Sequence, residues 1–112
     1  MELRFVKIDR RDGEVLVLGV TEQCNLSSFL VMATYEDNCC HSDSYVYSFP
    51  SIVVNAGDYI LLYTNAGRTD NYINKGRTTS YAFHWGKDAD IWQENVTKLS
   101  IIKAQDIVSQ SI

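Results

Sequence analysis

Apolar and polar residues alternate along most of this chain, with the period of two that places successive side chains on opposite faces of a β-strand. An apolar pattern at helical spacing extends nowhere beyond about two turns. The hydrophobic pattern therefore predicts an all-β protein.

The first half of the chain contains three predicted strands. Residues 3–8 and 14–20 flank a polar turn that contains Gly13, an arrangement typical of a β-hairpin. Residues 26–35 are apolar on both faces, so we expect a central strand there. The polar segment 36–44 predicts a loop.

The second half continues with short strands separated by turn signals. Pro50 cannot donate to a β-ladder and should end the strand before it, and Gly57 can reverse the chain because it tolerates a positive φ. Residues 65–80 are largely polar and predict the longest loop. The expected strands of this half are 45–49, 59–64, 81–85, 96–102 and 104–108. Strands at this spacing predict a β-sandwich in a single domain spanning 1–112.

Composition agrees with a globular domain and weighs against some functions. Hydrophobic residues make up 46% of the chain and charged residues 21%, which suits one buried core. The net charge of −4 disfavours binding of nucleic acid by the whole surface and leaves a local basic patch open. No apolar run reaches the roughly 18 residues of a membrane helix, and the first residues resemble a strand rather than a targeting peptide. We expect a cytoplasmic protein without membrane contact.

The residues able to carry chemistry form no convincing reaction centre. The chain has three cysteines, Cys24, Cys39 and Cys40, and the adjacent pair could form a disulfide only with strain, so reduced thiols are expected. Zinc ligands are usually separated by about two to four residues, unlike Cys39, Cys40 and His41. A nucleophilic cysteine would also need a base and an oriented third group. We expect no metal, no cofactor and no catalytic residues.

Aromatic residues mark one strand of the second half. Phe83 and Trp85 alternate with His84, so the imidazole should either face solvent or find a hydrogen-bond partner on the opposite face. Tryptophans of so small a domain belong in the core, and we expect this of Trp85 and Trp92.

The best candidate for a functional surface is the long loop with its flank. Four of the ten basic residues of an acidic protein crowd there, interleaved with a tyrosine and with Asn and Thr donors. Such groups could contact phosphates or a carboxylate-rich partner, whereas the alternative is a solvated loop. The candidate residues are Arg68, Tyr72, Lys75, Arg77 and Lys87.

Six segments of the second half carry a family resemblance: 47–50, 55–58, 59–64, 83–86, 91–95 and 97–102. Together they resemble the lamin tail domain, strongly over 47–102 and weakly before it. The Gly-Asp pair that usually follows the tryptophan of this family is absent after Trp92.

The resemblance implies an immunoglobulin-like β-sandwich and a non-enzymatic protein-interaction or scaffolding module. It supplies no catalytic residues. It implies a protein partner, with self-association through an edge strand or an exposed aromatic face as a further expectation. Since lamin tails also contact chromatin and DNA to some degree, nucleic-acid binding through the basic region 68–87 is the alternative.

Overall fold

The computed structural model describes residues 1–9, 14–36, 42–68, 70–74, 76–86 and 96–103. Within these ranges the chain forms ten β-strands and a single 3₁₀ turn at Leu26–Ser28, and none of its helices is long and apolar enough to cross a membrane. The strands are β1 (Leu3–Asp9), β2 (Val15–Val20), β3 (Cys24–Asn25), β4 (Phe29–Glu36), β5 (Ser42–Ser48), β6 (Val53–Val54), β7 (Tyr59–Tyr63), β8 (Asp70–Ile73), β9 (Thr79–His84) and β10 (Val96–Lys103). The all-β prediction is confirmed.

Two larger sheets contain most of these strands. The first has five strands in the order β1-β2-β7-β9-β8, and the second has three in the order β10-β4-β5. All neighbours are antiparallel except β7 and β9, which run in the same direction. β3 and β6 form a separate two-stranded ribbon.

Both larger sheets contribute to one hydrophobic core. The five-stranded sheet buries Leu16, Leu18, Ile60, Leu62 and Phe83, and the three-stranded sheet with its flanks buries Phe29, Val31, Ala33 and Phe49. Each large apolar side chain stabilises the fold by about 1.5–3 kcal/mol relative to its exposed state. The alternating residues of β2, β4 and β7 therefore hold the two sheets together.

Aromatic rings connect the sheets at one end of this core. Phe49 contacts Phe83 edge-to-face, with ring centroids 5.3 Å apart, and Tyr47 meets Trp85 in the same way at 5.7 Å. Edge-to-face pairs are favourable because the positive edge of one ring meets the negative face of the other. Trp85 is half-buried and packs against the core, whereas Trp92 lies outside the described residues.

Local hydrogen bonding corrects one predicted strand. The strand expected over 26–35 begins only at Phe29, because Leu26–Ser28 form the 3₁₀ turn. The side chain of Asn25 accepts a hydrogen bond from the N–H of Ser27 at 2.9 Å. This cap competes with ladder pairing for the backbone.

The predicted loops 65–80 and 36–44 also need correction. β8 lies within 65–80, β9 begins at Thr79, and β5 begins at Ser42. These strand residues are mostly polar, so the hydrophobic pattern did not distinguish them from loop. The strand predicted over 104–108 lies outside the described residues.

A buried carboxylate fixes the turn between β6 and β7. Gly57 has a φ of +93°, which confirms the predicted tight turn. Asp58, only 5% exposed, accepts hydrogen bonds from the N–H groups of Asn55 at 2.8 Å and Thr79 at 2.9 Å. The backbone N–H of Val20 donates to the Asp58 carbonyl, also at 2.9 Å. Asp58 therefore joins the turn to the start of β9 and the end of β2.

A second buried carboxylate lies at the other end of the β2–β7 pair. Glu14 is fully buried, and its Oε1 accepts a hydrogen bond from the hydroxyl of Thr64 at 3.2 Å. The N–H of Thr64 donates to the Glu14 carbonyl, again at 3.2 Å. These contacts continue the pairing beyond Val15 and Tyr63, where the two strands end.

An ion pair connects the two larger sheets near the start of β1. Lys103 Nζ lies 2.7 Å from Glu2 Oε1, and the same ammonium lies 5.8 Å from the ring centroid of Phe29. The hydrogen bond from Lys103 is the main cause that lowers the pKa of the Glu2 carboxyl.

We expect Asp58→Asn to lower the free energy of unfolding by about 1–3 kcal/mol, because an amide removes one of the two acceptors and leaves a partly buried backbone N–H without a partner. Urea unfolding checks this prediction. Asp70→Asn is the control: Asp70 is exposed, and its carboxylate accepts a hydrogen bond from the neighbouring N–H of Asn71. Equal losses in the two variants would contradict a special role for Asp58.

The Glu2–Lys103 ion pair predicts a pH-dependent contribution to stability. Because the pKa of Glu2 is lowered on folding, its contribution is present above the ordinary value of 4.5 and is lost as the pH falls through the folded-state value. The difference in unfolding free energy between wild type and Glu2→Gln should therefore shrink as urea denaturation is moved from neutral to acid pH. Glu22→Gln, at an exposed position, is the control, and a pH-independent difference for Glu2→Gln would contradict the prediction.

Candidate functional site

The structure places the predicted basic residues in different parts of the five-stranded sheet. Arg68 follows β7 and is exposed, and Arg77 is exposed in the connection between β8 and β9. Tyr72 belongs to β8, an edge strand of the sheet. Lys75 and Lys87 lie outside the described residues.

The segment before Arg68 is held against the end of β9. Gly67 approaches the ring of His84 so closely that a Cβ at position 67 would lie 2.5 Å from Nδ1. His84 Nδ1 is 2.9 Å from the side-chain oxygen of Asn65, and the imidazole stacks on Tyr63 with centroids 5.0 Å apart. His84 is thus half-buried with a hydrogen-bond partner, one of the two outcomes its position predicted.

The segment around Arg77 is a hydrogen-bonded turn. The N–H of Asn74 donates to the Thr78 carbonyl at 2.7 Å, and the N–H of Arg77 donates to the Asn74 carbonyl at 3.1 Å. The Asn74 amide also donates to Ser80 Oγ at 2.9 Å. Arg77 adopts a φ of +66°, in the left-handed region that glycine favours.

Arg68 and Arg77 lie at opposite ends of β9. Gly67 contacts His84, the last residue of the strand, whereas Arg77 precedes Thr79, the first. A strand of this length spans about 16 Å at the usual rise per residue. Arg68 and Arg77 therefore do not converge on one small anion, although an extended ligand could reach both.

The outer face of the three-stranded sheet is a surface that the sequence analysis did not select. Register places Leu30 between Ile102 and Ser48, and Met32 between Ser100 and Val46. Val46 is 51% exposed and Ile102 38%, while Leu30 and Met32 are half-buried. We call Leu30, Met32, Val46 and Ile102 the outer apolar face.

The sequence did contain a signal for the outer apolar face. The second apolar side of the strand at 26–35 predicted a central strand, and β4 is indeed central in its sheet. Only Phe29, Val31 and Ala33 belong to the core cluster, however, and Leu30 and Met32 point the other way. The apolar residues on both faces of β4 thus correspond to one face in the core and one face on the outer surface of the sheet, instead of two buried faces.

Thiol and metal chemistry find little support among the described residues. Cys24 is half-buried, and burial, with a smaller contribution from the charge of Glu2, raises the pKa of its thiol. A raised pKa lowers the fraction of reactive thiolate. In the described ranges no three His, Cys, Asp or Glu residues cluster as metal ligands, and Cys39, Cys40 and His41 lie outside them.

No protein-family model matches this sequence, and no curated protein resembles it significantly.

We expect Arg77→Gly to raise the free energy of unfolding by up to about 1–2 kcal/mol, because glycine removes the cost of the left-handed conformation. Urea denaturation measures the change. Arg68→Gly is the matched control, since it also removes one exposed arginine but Arg68 does not have a positive φ. A loss of stability in Arg77→Gly similar to that in Arg68→Gly would contradict the prediction.

Proposed function

We propose that this chain is a non-enzymatic protein-interaction module of the lamin-tail type, with an immunoglobulin-like β-sandwich fold. The resemblance over 47–102 supports the family, and two sheets around one core are compatible with such a sandwich. The family brings no catalytic residues, so function would depend on surfaces.

The outer apolar face is the observation that carries this proposal. The exposed side of an antiparallel sheet is usually polar, because alternate residues face water. Here four neighbouring apolar side chains from all three strands occupy that side. Contiguous exposed apolar surface marks interaction sites more often than isolated apolar residues do.

The chemistry of this face suggests the class of partner. Met32 is flexible and polarizable and can adapt to irregular apolar surfaces. The neighbouring polar side chains Ser48 and Ser100 carry no charge, and Lys98 is the exposed cation on the same side of β10. A protein with an apolar patch and an acidic residue at its edge would complement this arrangement.

The strain at Arg77 favours nucleic-acid binding as a second candidate. An exposed arginine kept at a φ of +66° costs stability that glycine would not, and such costs concentrate at functional positions. Arg68 and Arg77 could contact phosphates about 16 Å apart along an extended strand. Two such contacts would give weak binding that falls with salt.

We expect Val46→Lys to weaken partner binding by about tenfold or more, because it buries an unpaired charge in the interface. A partner is first captured from lysate treated with nuclease. It is then purified, and its affinity is measured by calorimetry against wild type, Val46→Lys and Ile102→Lys. Val53→Lys is the matched control, since Val53 is 54% exposed but lies on β6, outside the outer apolar face.

The outcomes separate the two candidates. Loss of affinity with Val46→Lys and Ile102→Lys but not with Val53→Lys supports the interaction module. Equal affinities in all three variants would refute binding through the outer apolar face. Capture that disappears with nuclease and with the Arg68→Ala/Arg77→Ala double variant would assign the chain to nucleic-acid binding instead.

A further inference from the structure

β1 is an edge strand that exposes apolar side chains. It pairs with β2 on one side, and within the described ranges no strand pairs with its other side. Phe5 is 46% exposed, Val6 40% and Ile8 39%. A long edge with such residues is a template for pairing with another strand, and proteins usually protect such edges with charge, proline or a covering segment.

A one-residue register shift divides β1 into two parts. Phe5 pairs with Leu18 and Lys7 with Val17, so Val6 is the extra residue. The shift changes the usual alternation of faces. Phe5 pairs across the strands with Leu18, and Ile8 pairs with Leu16. The side chains of Phe5 and Ile8 therefore lie on the same face of the sheet, although the two residues are three positions apart. Arg4, Lys7 and Asp9 share the other side.

Hydrogen bonds show which backbone groups of β1 face the open edge. Val20 donates its N–H to the Asp58 carbonyl and accepts from the N–H of Gly57, so its backbone faces β7. The N–H and C=O groups of successive residues point to alternate sides of a strand. Those of Gly19 therefore point to β1, and those of Leu18 point to β7.

The same alternation extends to β1 itself. Its residue opposite Leu18 is Phe5, whose N–H and C=O consequently point away from β2. The same reasoning applies to Ile8, opposite Leu16. Phe5 and Ile8 thus offer both backbone groups to a neighbouring strand.

We propose that β1 pairs antiparallel with β1 of a second copy about a two-fold axis, with Phe5 of each chain opposite Ile8 of the other. The two backbones then exchange N–H···O bonds at both Phe5–Ile8 pairs. The side chains of each pair also share one face, as cross-strand packing requires. This register is possible because of the shift at Val6, without which Phe5 and Ile8 would lie on opposite faces.

Charge complementarity supports a second copy as the occupant. The same register places Arg4 of each chain opposite Asp9 of the other, on the face away from the core. Opposite charges directly across antiparallel strands are stabilising. The guanidinium of Arg4 lies over Gly19 in the single chain, and rotation about its exposed side-chain bonds would bring it to the open edge.

This inference rests on the proposed interaction role and names one partner for it, but it uses a different sheet from the outer apolar face. The two can therefore fail separately. Val46→Lys should leave self-association unchanged, and variants of β1 should leave the outer apolar face able to bind its partner.

The first test is charge reversal, followed by analytical ultracentrifugation over a range of concentrations. Wild type should show a monomer–dimer equilibrium. Arg4→Asp alone and Asp9→Arg alone should each raise the dissociation constant by about tenfold or more, and the double variant should restore it. Lys7→Asp, the same charge change on the same face, should have a smaller effect.

The second test addresses the backbone bonds. Phe5→Pro removes an N–H that points to the open edge, so the monomer should still fold while the dimer is lost. Phe5→Ala keeps that N–H and should weaken the dimer less. Circular dichroism and urea unfolding confirm that each variant is folded.

Two outcomes would overturn the proposal. One is a wild-type protein that remains monomeric at all concentrations, in which case hydrogen exchange at Phe5 and Ile8 reports whether the same chain covers the edge. The other is a dimer that the Arg4→Asp/Asp9→Arg double variant fails to restore although the variant is folded.

Discussion

The arrangement of the five-stranded sheet depends on the hydrogen bonds that Asp58 accepts. The two carboxylate oxygens accept hydrogen bonds from the N–H groups of Asn55 at the turn and Thr79 at the start of β9. The backbone carbonyl of Asp58 accepts a hydrogen bond from the N–H of Val20 in β2. Three elements of the chain, the turn, β2 and the start of β9, therefore meet at one residue, through its carboxylate and its backbone carbonyl. β9 pairs in parallel with β7, so no hairpin turn sets the register between these two strands. The hydrogen bond from the Thr79 N–H to the Asp58 carboxylate fixes where β9 begins and therefore sets this register.

The sequence predicted those parts of the fold in which the hydrophobic pattern follows local geometry. The start of β1 alternates, β2 and β7 are short apolar runs bounded by turn residues, and the turn at Gly57 follows from the freedom of glycine. β8 was missed because an edge strand needs little apolar surface, and Asp70 and Asn71 resemble loop residues. The parallel pairing of β7 with β9 could not be predicted, since it depends on the crossover and on a buried carboxylate that sequence shows only as one more acidic residue.

Strand pairing, which the sequence does not show, also decides which surface residues become neighbours. Arg68 and Arg77 are close in sequence, but β8 runs back along β9 between them and places them at opposite ends of that strand. In the outer apolar face, by contrast, strand pairing brings separate segments of the chain together. Its residues come from the consecutive strands β4 and β5 and from β10, which lies far along the chain, and they become neighbours only through strand pairing. A surface of this kind cannot be found by searching for clusters along the chain.

The parallel β7–β9 pair also has a consequence for biosynthesis. β8 leaves the ribosome before β9, yet its place in the sheet lies beyond β9, so the sheet cannot grow by adding successive hairpins. Non-local pairing of this kind slows folding. Until β9 is synthesised, β7 has an open edge and the apolar residues Ile60 and Leu62 lack Phe83 beside them. A nascent chain halted at this stage would be prone to misassembly and would be a natural client for chaperones.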